Sequence, residues 1–275
     1  VLRVILFVFA GRKANMQLQV PYIKRILAEH PNVEYHVWNL ARDPKDAEYL
    51  QTITGERITV RNDFHGGCHW TGFNKVWWHY AQPEYRDCLF VKVDDDDVFF
   101  ETTRFGEYLE AIDNNRGSVV SALTVNNGAS TWLEPLIWRG FENLNIPLLD
   151  VHMSGDYAHM SHAHFLTHWR DVTGQPNQVI PTTDWLSINC IGLDHPTLKR
   201  IADLLDTPSP AHIAGRDWPH GFKIGDEGAA NMQPRVIHRG FVVSHLSFGP
   251  QELPHETWEK LRMGYGRIAA ELNTV

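Results

Sequence analysis

Along the first hundred residues, continuous apolar runs alternate with segments whose apolar positions recur at helical spacing. Residues 2–9 are a β-branched and aromatic run of the kind carried by a strand buried on both faces. The polar turn Gly11-Arg12-Lys13-Ala14-Asn15 follows, and then Met16, Val20, Ile23, Ile26 and Leu27 mark one face of a helix. Residues 34–40 read as a second strand, Asp43-Pro44 as the cap and first turn of a short helix, and Ile58-Thr59-Val60 as a third strand. A helix over 70–80 leads to the apolar strand 88–93, which runs into Asp94-Asp95-Asp96-Asp97. Strands alternating with helices in this way predict an α/β fold with a mostly parallel central sheet and right-handed crossovers. Such sheets bind ligands beyond the carboxyl ends of their strands, where both the Gly11 turn and the aspartate run fall.

The second half is less regular. Residues 118–123 read as a strand, whereas 124–180 is rich in His, Trp, Asn and Gly with few long periodic runs, and reads as an irregular insertion or lid. Regular pattern returns with a strand over 185–193, a helix capped by Asp194 and running through Leu205, a strand over 241–246 and a helix over about 254–272. No internal repeat or linker-like tract interrupts the chain, so one continuous domain over residues 1–275 is expected.

Composition narrows the function. A formal net charge of −8 and a pI near 6.0 provide no basic field for a general nucleic-acid binder. The three cysteines, Cys68, Cys88 and Cys190, are odd in number and lack paired metal spacing, which argues against a disulfide scaffold or structural zinc site and fits a reducing cytoplasm. The apolar opening over residues 1–10 is shorter than the ~20 residues a membrane span needs, and is read as a buried strand, neither anchor nor signal peptide.

Four adjacent aspartates after a buried strand repel one another and lose hydration, so a positive group is expected beside them. In an extended segment either Asp94 with Asp96 or Asp95 with Asp97 shares a face, and one such pair can hold a hard cation through oxygen ligands. The apolar flanks Phe90-Val91 and Val98-Phe99-Phe100 argue against a solvated acidic turn, and the spacing of a helix-loop-helix Ca²⁺ loop is absent. The histidines at 152, 159, 162, 164 and 168, with Asp156, form no three-ligand zinc motif with a general-base Glu; with Tyr157 and Trp169 they suit contacts to an acceptor.

The stretch Trp70-Thr71-Gly72-Phe73-Asn74-Lys75-Val76-Trp77-Trp78, followed by Phe90-Val91-Lys92-Val93-Asp94-Asp95-Asp96-Asp97-Val98-Phe99, resembles GT-A-fold glycosyltransferases with an Asp-x-Asp motif, notably the fringe and β-1,3-galactosyltransferase type. The chain carries one Asp more than that pattern. Anchoring on Val98-Phe99 selects Asp95 and Asp97, the preferred register, and anchoring on Lys92 selects Asp94 and Asp96. The resemblance implies Mn²⁺ or Mg²⁺ on Asp95, Asp97 and a C-terminal histidine, His245, with His238 as its competitor. It further implies a nucleotide-sugar donor, UDP-sugar favoured, held by Phe9, Ala10, Gly11, Arg12, Lys13, Lys75, Asp95 and Asp96. Residues 1–123 would form the donor-binding half and 124–275 the acceptor and catalytic half.

Asp226-Glu227, between glycines and opening a short helix, matches the place where inverting members carry the base that deprotonates the acceptor hydroxyl, and Asp226 is preferred over Glu227. The acceptor is left open among a glycan, a protein side chain, a lipid-linked sugar and a modified nucleobase. Two other classes use similar residues: a metal-dependent phosphoesterase or nucleotide hydrolase, which needs ligands for a second metal, and a non-catalytic Ca²⁺-dependent sugar- or nucleotide-binding protein.

Overall fold

A computed structural model describes residues 2–66, 69–133, 148–217 and 222–272. Cys68 and part of the 124–180 segment lie outside them, as does the side chain of Trp70. The chain opens on β1 (Arg3–Ala10), turns at Gly11-Arg12 into α1 (Lys13–Glu29), and continues through β2 (Val33–Asn39), α2 (Pro44–Gln51) and β3 (Ile58–Arg61). Then come α3 (His69–Tyr80), β4 (Cys88–Asp94), β5 (Asp97–Phe100), α4 (Phe105–Asn114), β6 (Val119–Val125) and α5 (Gly128–Leu133). The remainder comprises α6 (Gly155–Val172), β7 (Val179–Thr182), β8 (Cys190–Asp194), α7 (His195–Leu204), the small hairpin of β9 (His212–Ile213) and β10 (Arg216–Asp217), α8 (Asp226–Asn231), β11 (Arg235–His245) and α9 (His255–Leu272).

The main sheet has the order β3-β2-β1-β4-β8-β6-β11-β5, with β7 also paired to β11. Pairing is parallel from β3 through β4 and between β6 and β11, while β8, β5 and β7 run antiparallel to their neighbours. The expected mostly parallel α/β sheet with flanking helices is the architecture observed.

The run over residues 2–9 is continuous because β1 feeds two cores. Val4, Leu6 and Val8 pack on one face with residues of α1, α4, α6 and α9. Ile5, Phe7 and Phe9 pack on the other with Val76, Trp77 and Tyr80 of α3 and with α7 and α8. Each such side chain contributes about 1.5–3 kcal/mol by leaving water, so the strand that ends at the Gly11 turn is held from both sides. Elsewhere α4 lies so close to β8 that a Cβ on Gly192 would stand 2.1 Å from Ile112 Cδ1.

Three expectations change. Residues 155–172 are helical with a kink at His168, not irregular structure. Ser154 caps it by accepting from Tyr157 N at 3.1 Å, and its buried stripe is Tyr157, Ala158, Ser161, His162, Phe165 and Val172, a set too polar to read as an apolar period. The strand expected over 185–193 starts only at Cys190, because the Leu186 backbone is satisfied by a side chain: its N–H donates to Asn231 Oδ1 at 2.8 Å and its carbonyl accepts from Asn231 Nδ2 at 2.7 Å. The strand expected over 241–246 begins at Arg235, with an irregularity between His238 and Val242. Among the described residues no helix is long and apolar enough to cross a membrane.

Candidate active site

The four aspartates do not form one extended edge. β4 ends at Asp94, the chain turns at Asp95-Asp96, and β5 leaves from Asp97, so the two-face alternation of a strand does not apply. Asp97 Oδ2 closes the turn by accepting from Asp94 N at 3.0 Å. Gln19, on α1, donates to the carbonyls of Asp94 and Asp97 at 2.7 and 3.1 Å, while its own carbonyl accepts from Tyr35 Oη at 2.7 Å. Backbone and side chain together fix the turn, and each carboxylate meets a different environment.

Asp95 faces the β1–α1 turn, accepting from Gly11 N at 2.8 Å and from Arg12 Nε at 2.9 Å, with Arg12 Nη2 on the same oxygen. Asp96 Oδ2 accepts from Ser247 Oγ at 3.0 Å; its Oδ1 lies 2.8 Å from Arg12 Nη2 and 3.2 Å from His245 Nε2. Asp94 meets Lys92 Nζ through Oδ1 and Asn189 Nδ2 through Oδ2, the latter at 3.2 Å. The positive groups that the run requires are therefore Arg12 and Lys92. Lys92 is buried in β4 and also donates to the Ile188 carbonyl at 2.7 Å.

Ligand atoms of Asp94, Asp96 and His245 all lie within 4.8 Å of one another, the one such group among the described residues. The preferred sequence register named Asp95 and Asp97, but Asp95 is engaged by Gly11 and Arg12, Asp97 by the Asp94 backbone, and neither belongs to this group. His245 is in it; His238 lies in the other half of β11 and pairs with Asn177 Oδ1 at 2.8 Å. The residues fit a divalent cation on two grounds. Asp96 Oδ1 is buried without a hydrogen bond of good geometry despite its charged neighbours, an acceptor left over by the protein itself. His245 Nε2 stands 3.2 and 3.7 Å from the Asp96 and Asp94 oxygens, near the ~3 Å separation of adjacent ligands around an ion bound at about 2.1 Å. Two carboxylates and an imidazole suit Mn²⁺ or Mg²⁺ better than a soft metal.

Burial opposes ionisation of Asp96, yet Arg12, His245 and Ser247 outweigh it and hold its carboxyl well below the usual range. For Asp97 burial acts with the charges of Asp94 and Asp96, and its carboxyl is pushed far up. Burial likewise disfavours the Lys92 charge, but Asp94 and Asp226 more than restore it.

A buried amide relay joins the strands that carry the ligands. After β6, Asn126 adopts a left-handed conformation (φ 64°) and donates to the His245 and Leu246 carbonyls at 3.3 Å each and to Gln251 Oε1 at 3.0 Å. Asn127 donates to Asn189 Oδ1 at 3.1 Å, and Asn189 in turn holds Asp94. One turn thus braces His245 from behind and Asp94 from the side.

Two neighbouring cavities lie on this side of the molecule, and one of them reaches the acidic turn through Asp95. One, of about 460 Å³, is lined by Phe9, Ala10, Gly11, Arg12 and Asp95; the other, of about 490 Å³, extends past Phe64 and His65, and they share Leu40, Arg42, Asp43 and Phe73. Lys13 is not among the lining residues: its N–H donates to Asp46 and its Nζ sits 5.6 Å over the Tyr49 ring. Lys75 is exposed on α3 with Nζ 5.8 Å over the Phe64 ring.

Asp226 and Glu227 open α8, whose cap residue Gly225 supplies no side-chain bond. Trp77 Nε1 donates to Asp226 Oδ2 at 3.1 Å, and Trp185 Nε1 donates to Glu227 Oε1 at 2.5 Å. Burial pushes Glu227 up to about 7 against the pull of the Trp185 bond, and the charges of Asp226, Lys92 and Asp94 are also felt there. The charges of Lys92 and Asp94 thus reach this pair, and Asp226 in turn favours the charged form of Lys92.

No protein-family description matches the chain, and no curated protein matches it by sequence. Among solved structures it is similar to a mannosyltransferase from Pyrobaculum calidifontis in complex with GDP-Man and Mn²⁺, at 11% identity and a TM-score of 0.50. The similarity covers 96% of this chain and 60% of that one. The chain has a glycosyltransferase fold. The apo structure of the bifunctional glycosyltransferase WbbM aligns at 12% identity with a TM-score of 0.41, over 96% of this chain and 44% of that one.

Within that fold, the histidines of this segment divide between buried and exposed positions. His162 is buried between Tyr265 Oη at 2.6 Å and the Leu246 carbonyl at 2.8 Å, and burial pushes it down to about 4, so it stays neutral. Tyr157 is buried against Thr131, so neither residue is presented to an acceptor. His164 and His168 stack with ring centroids 4.4 Å apart on the outer part of α6. Trp185, Asn126, Asn127, Asn189 and Ser247 carry no motif in the sequence that marks them as part of a site. A signal existed for Lys92, an isolated lysine inside an apolar strand just before an acidic run.

Proposed function

We propose that the chain is a metal-dependent glycosyltransferase that moves a sugar from a nucleotide-sugar donor to a hydroxyl acceptor with inversion. The observation that carries this reading is the convergence of Asp94, Asp96 and His245 beside a cavity opened by the Gly11-Arg12 turn, with Asp95 lining that cavity. The fold shared with a mannosyltransferase solved with GDP-Man and Mn²⁺ supports it.

In this reading Asp94, Asp96 and His245 hold the divalent cation. Bound there, the cation supplies positive charge against the donor diphosphate as its bond to the sugar breaks. Arg12, half-exposed at the cavity wall, adds a second positive charge on the same side, and the first βα turn cradles the nucleotide. The acceptor oxygen bonds to the anomeric carbon, the bond from that carbon to the diphosphate breaks with its electron pair leaving on the diphosphate, and the acceptor proton passes to the Asp226-Glu227 pair.

The test is incubation with UDP- and GDP-sugars, Mn²⁺ and candidate acceptors, with nucleoside diphosphate release and product mass as readouts. Metal-dependent release of nucleoside diphosphate is expected. Release of inorganic phosphate from simple phosphoesters without nucleoside diphosphate release would favour the hydrolase class instead, and tight binding without any turnover the binding-protein class.

A further inference from the structure

The two carboxylates that open α8 are each held by an indole, but their commitments differ. Both oxygens of Asp226 are in use: Oδ2 accepts from Trp77 Nε1 at 3.1 Å and Oδ1 accepts from Glu227 N at 2.9 Å. Asp226 thus does the work of a cap for a helix whose Gly225 has no side chain to offer. Glu227 commits only Oε1, to Trp185 Nε1; its Oε2 has no hydrogen-bond partner among the described residues and is not sealed away as a buried orphan.

Trp185 is itself immobilised. It is 6% exposed, and the Arg216 guanidinium lies over its ring at 4.9 Å. The next residue, Leu186, is tied through both backbone polar groups to Asn231, and Asn231 Nδ2 also donates to the Glu227 carbonyl at 2.9 Å. The indole and the carboxylate are therefore mounted on one cross-linked unit, with no intervening joint.

We infer that Glu227 takes the acceptor proton through Oε2, that Trp185 is its positioning residue, and that Asp226 is committed to the helix start. The inference rests on the transferase reading and deepens it, reversing the sequence preference for Asp226. The proton balance is simple: the hydroxyl oxygen gains the anomeric carbon and loses its proton to Oε2, and the leaving diphosphate carries away the electron pair of the broken bond.

Electrostatics agrees with the geometry. Burial is the main force raising the Glu227 carboxyl to about 7; the Trp185 N–H pulls it down, Asp226 on the same helix and Asp94 on β4 push it up, and Lys92 on β4 pulls it down. Arg216 on β10 lies over the face of the indole ring. An indole N–H bonded to the ionised form favours ionisation, so replacing Trp185 by Phe, which keeps a ring and removes the donor, raises the pH at which Glu227 loses its proton.

Two measurements test this. In ¹⁵N-labelled protein the indole N–H resonance absent from Trp185→Phe belongs to Trp185. It is expected to shift with a midpoint near pH 7 in the wild-type protein and to stay still in Glu227→Gln, which retains an acceptor oxygen. A Trp185 resonance that does not move between about pH 5 and 9 overturns the pairing. In nucleoside diphosphate release from a nucleotide sugar with Mn²⁺ and acceptor, Trp185→Phe should lower kcat about ten- to hundredfold at pH 6, recover toward the wild-type plateau at pH 9, and leave the donor KM unchanged. A loss equal at every pH marks Trp185 as merely structural, and full kcat in Glu227→Gln removes Glu227 as the base; either result overturns the inference alone. A wild-type protein that turns over no nucleotide sugar overturns the transferase reading and the inference with it.

Discussion

The carboxylates at the two ends of the site are stabilised by opposite means. At the acidic turn Asp94, Asp95 and Asp96 meet full positive charges, Lys92 and Arg12, and Asp96 is driven well below the usual carboxylate range. At the start of α8, Asp226 and Glu227 meet neutral indole donors, and burial pushes Glu227 up to about 7. A carboxylate that must stay ionised to hold a cation suits the first setting. One that must gain and release a proton near neutral pH suits the second. Both ends feel the charge of the buried Lys92, which Asp94 at one end and Asp226 at the other stabilise.

The sharpest way to break this comparison is to remove one member at each end. Asp96→Asn should lower metal-dependent nucleoside diphosphate release by about a thousandfold or more, because the cation loses one of its two anionic ligands. Glu227→Gln should lower transfer by about 10²- to 10⁴-fold while leaving Mn²⁺ affinity unchanged, since only the proton acceptor is lost. A parallel fall in metal affinity would show that the two ends are not separate.

The pH dependence sharpens it further. Glu227 is raised to about 7 and acts only when ionised, so the rate of transfer should rise about tenfold per unit of pH below 7 and level off above it, measured as kcat against pH. Asn189→Ala, which removes the donor that holds Asp94 Oδ2, should weaken Mn²⁺ binding by about 10- to 100-fold in calorimetry. The smallest effect is expected from Asp95→Asn. It loosens the Gly11-Arg12 turn without touching a ligand, and should raise the donor KM by about tenfold with kcat nearly unchanged.

The first half of the fold was legible because burial on both faces leaves a plain mark: β1 is apolar at every position that one or other core receives. The helix α6 shows no clear apolar period because Tyr157, Ser161 and His162 interrupt its buried stripe, their polar atoms engaged by Thr131, Asn126, Tyr265 and the Leu246 carbonyl, partners distant in sequence. The same reason hid Trp185: a strand-like run was drawn out of the sheet by Asn231, which lies 45 residues further on.

At the site itself, the residue types were readable and their register was not. Alternation on an extended strand is a sound rule, but Asp95 and Asp96 are in a turn, held by Gln19 and by the Asp97 side chain, and a turn obeys no period of two. His245 could be singled out from an apolar strand near the C-terminus. The relay through Asn126, Asn127 and Asn189 could not, since it joins three loops that only the folded sheet brings together.

The central claim is the identity of the three ligands, and Mn²⁺ titration of Asp96→Asn beside Asp97→Asn tests it most directly. Asn at position 97 retains an oxygen for the Asp94 N–H that closes the turn, whereas Asn at position 96 removes half of the anionic pair beside His245. The account predicts that Asp97→Asn binds Mn²⁺ within a few-fold of wild type and that Asp96→Asn loses at least about a hundredfold in affinity. Loss of binding in Asp97→Asn with retention in Asp96→Asn would contradict it and restore the other register.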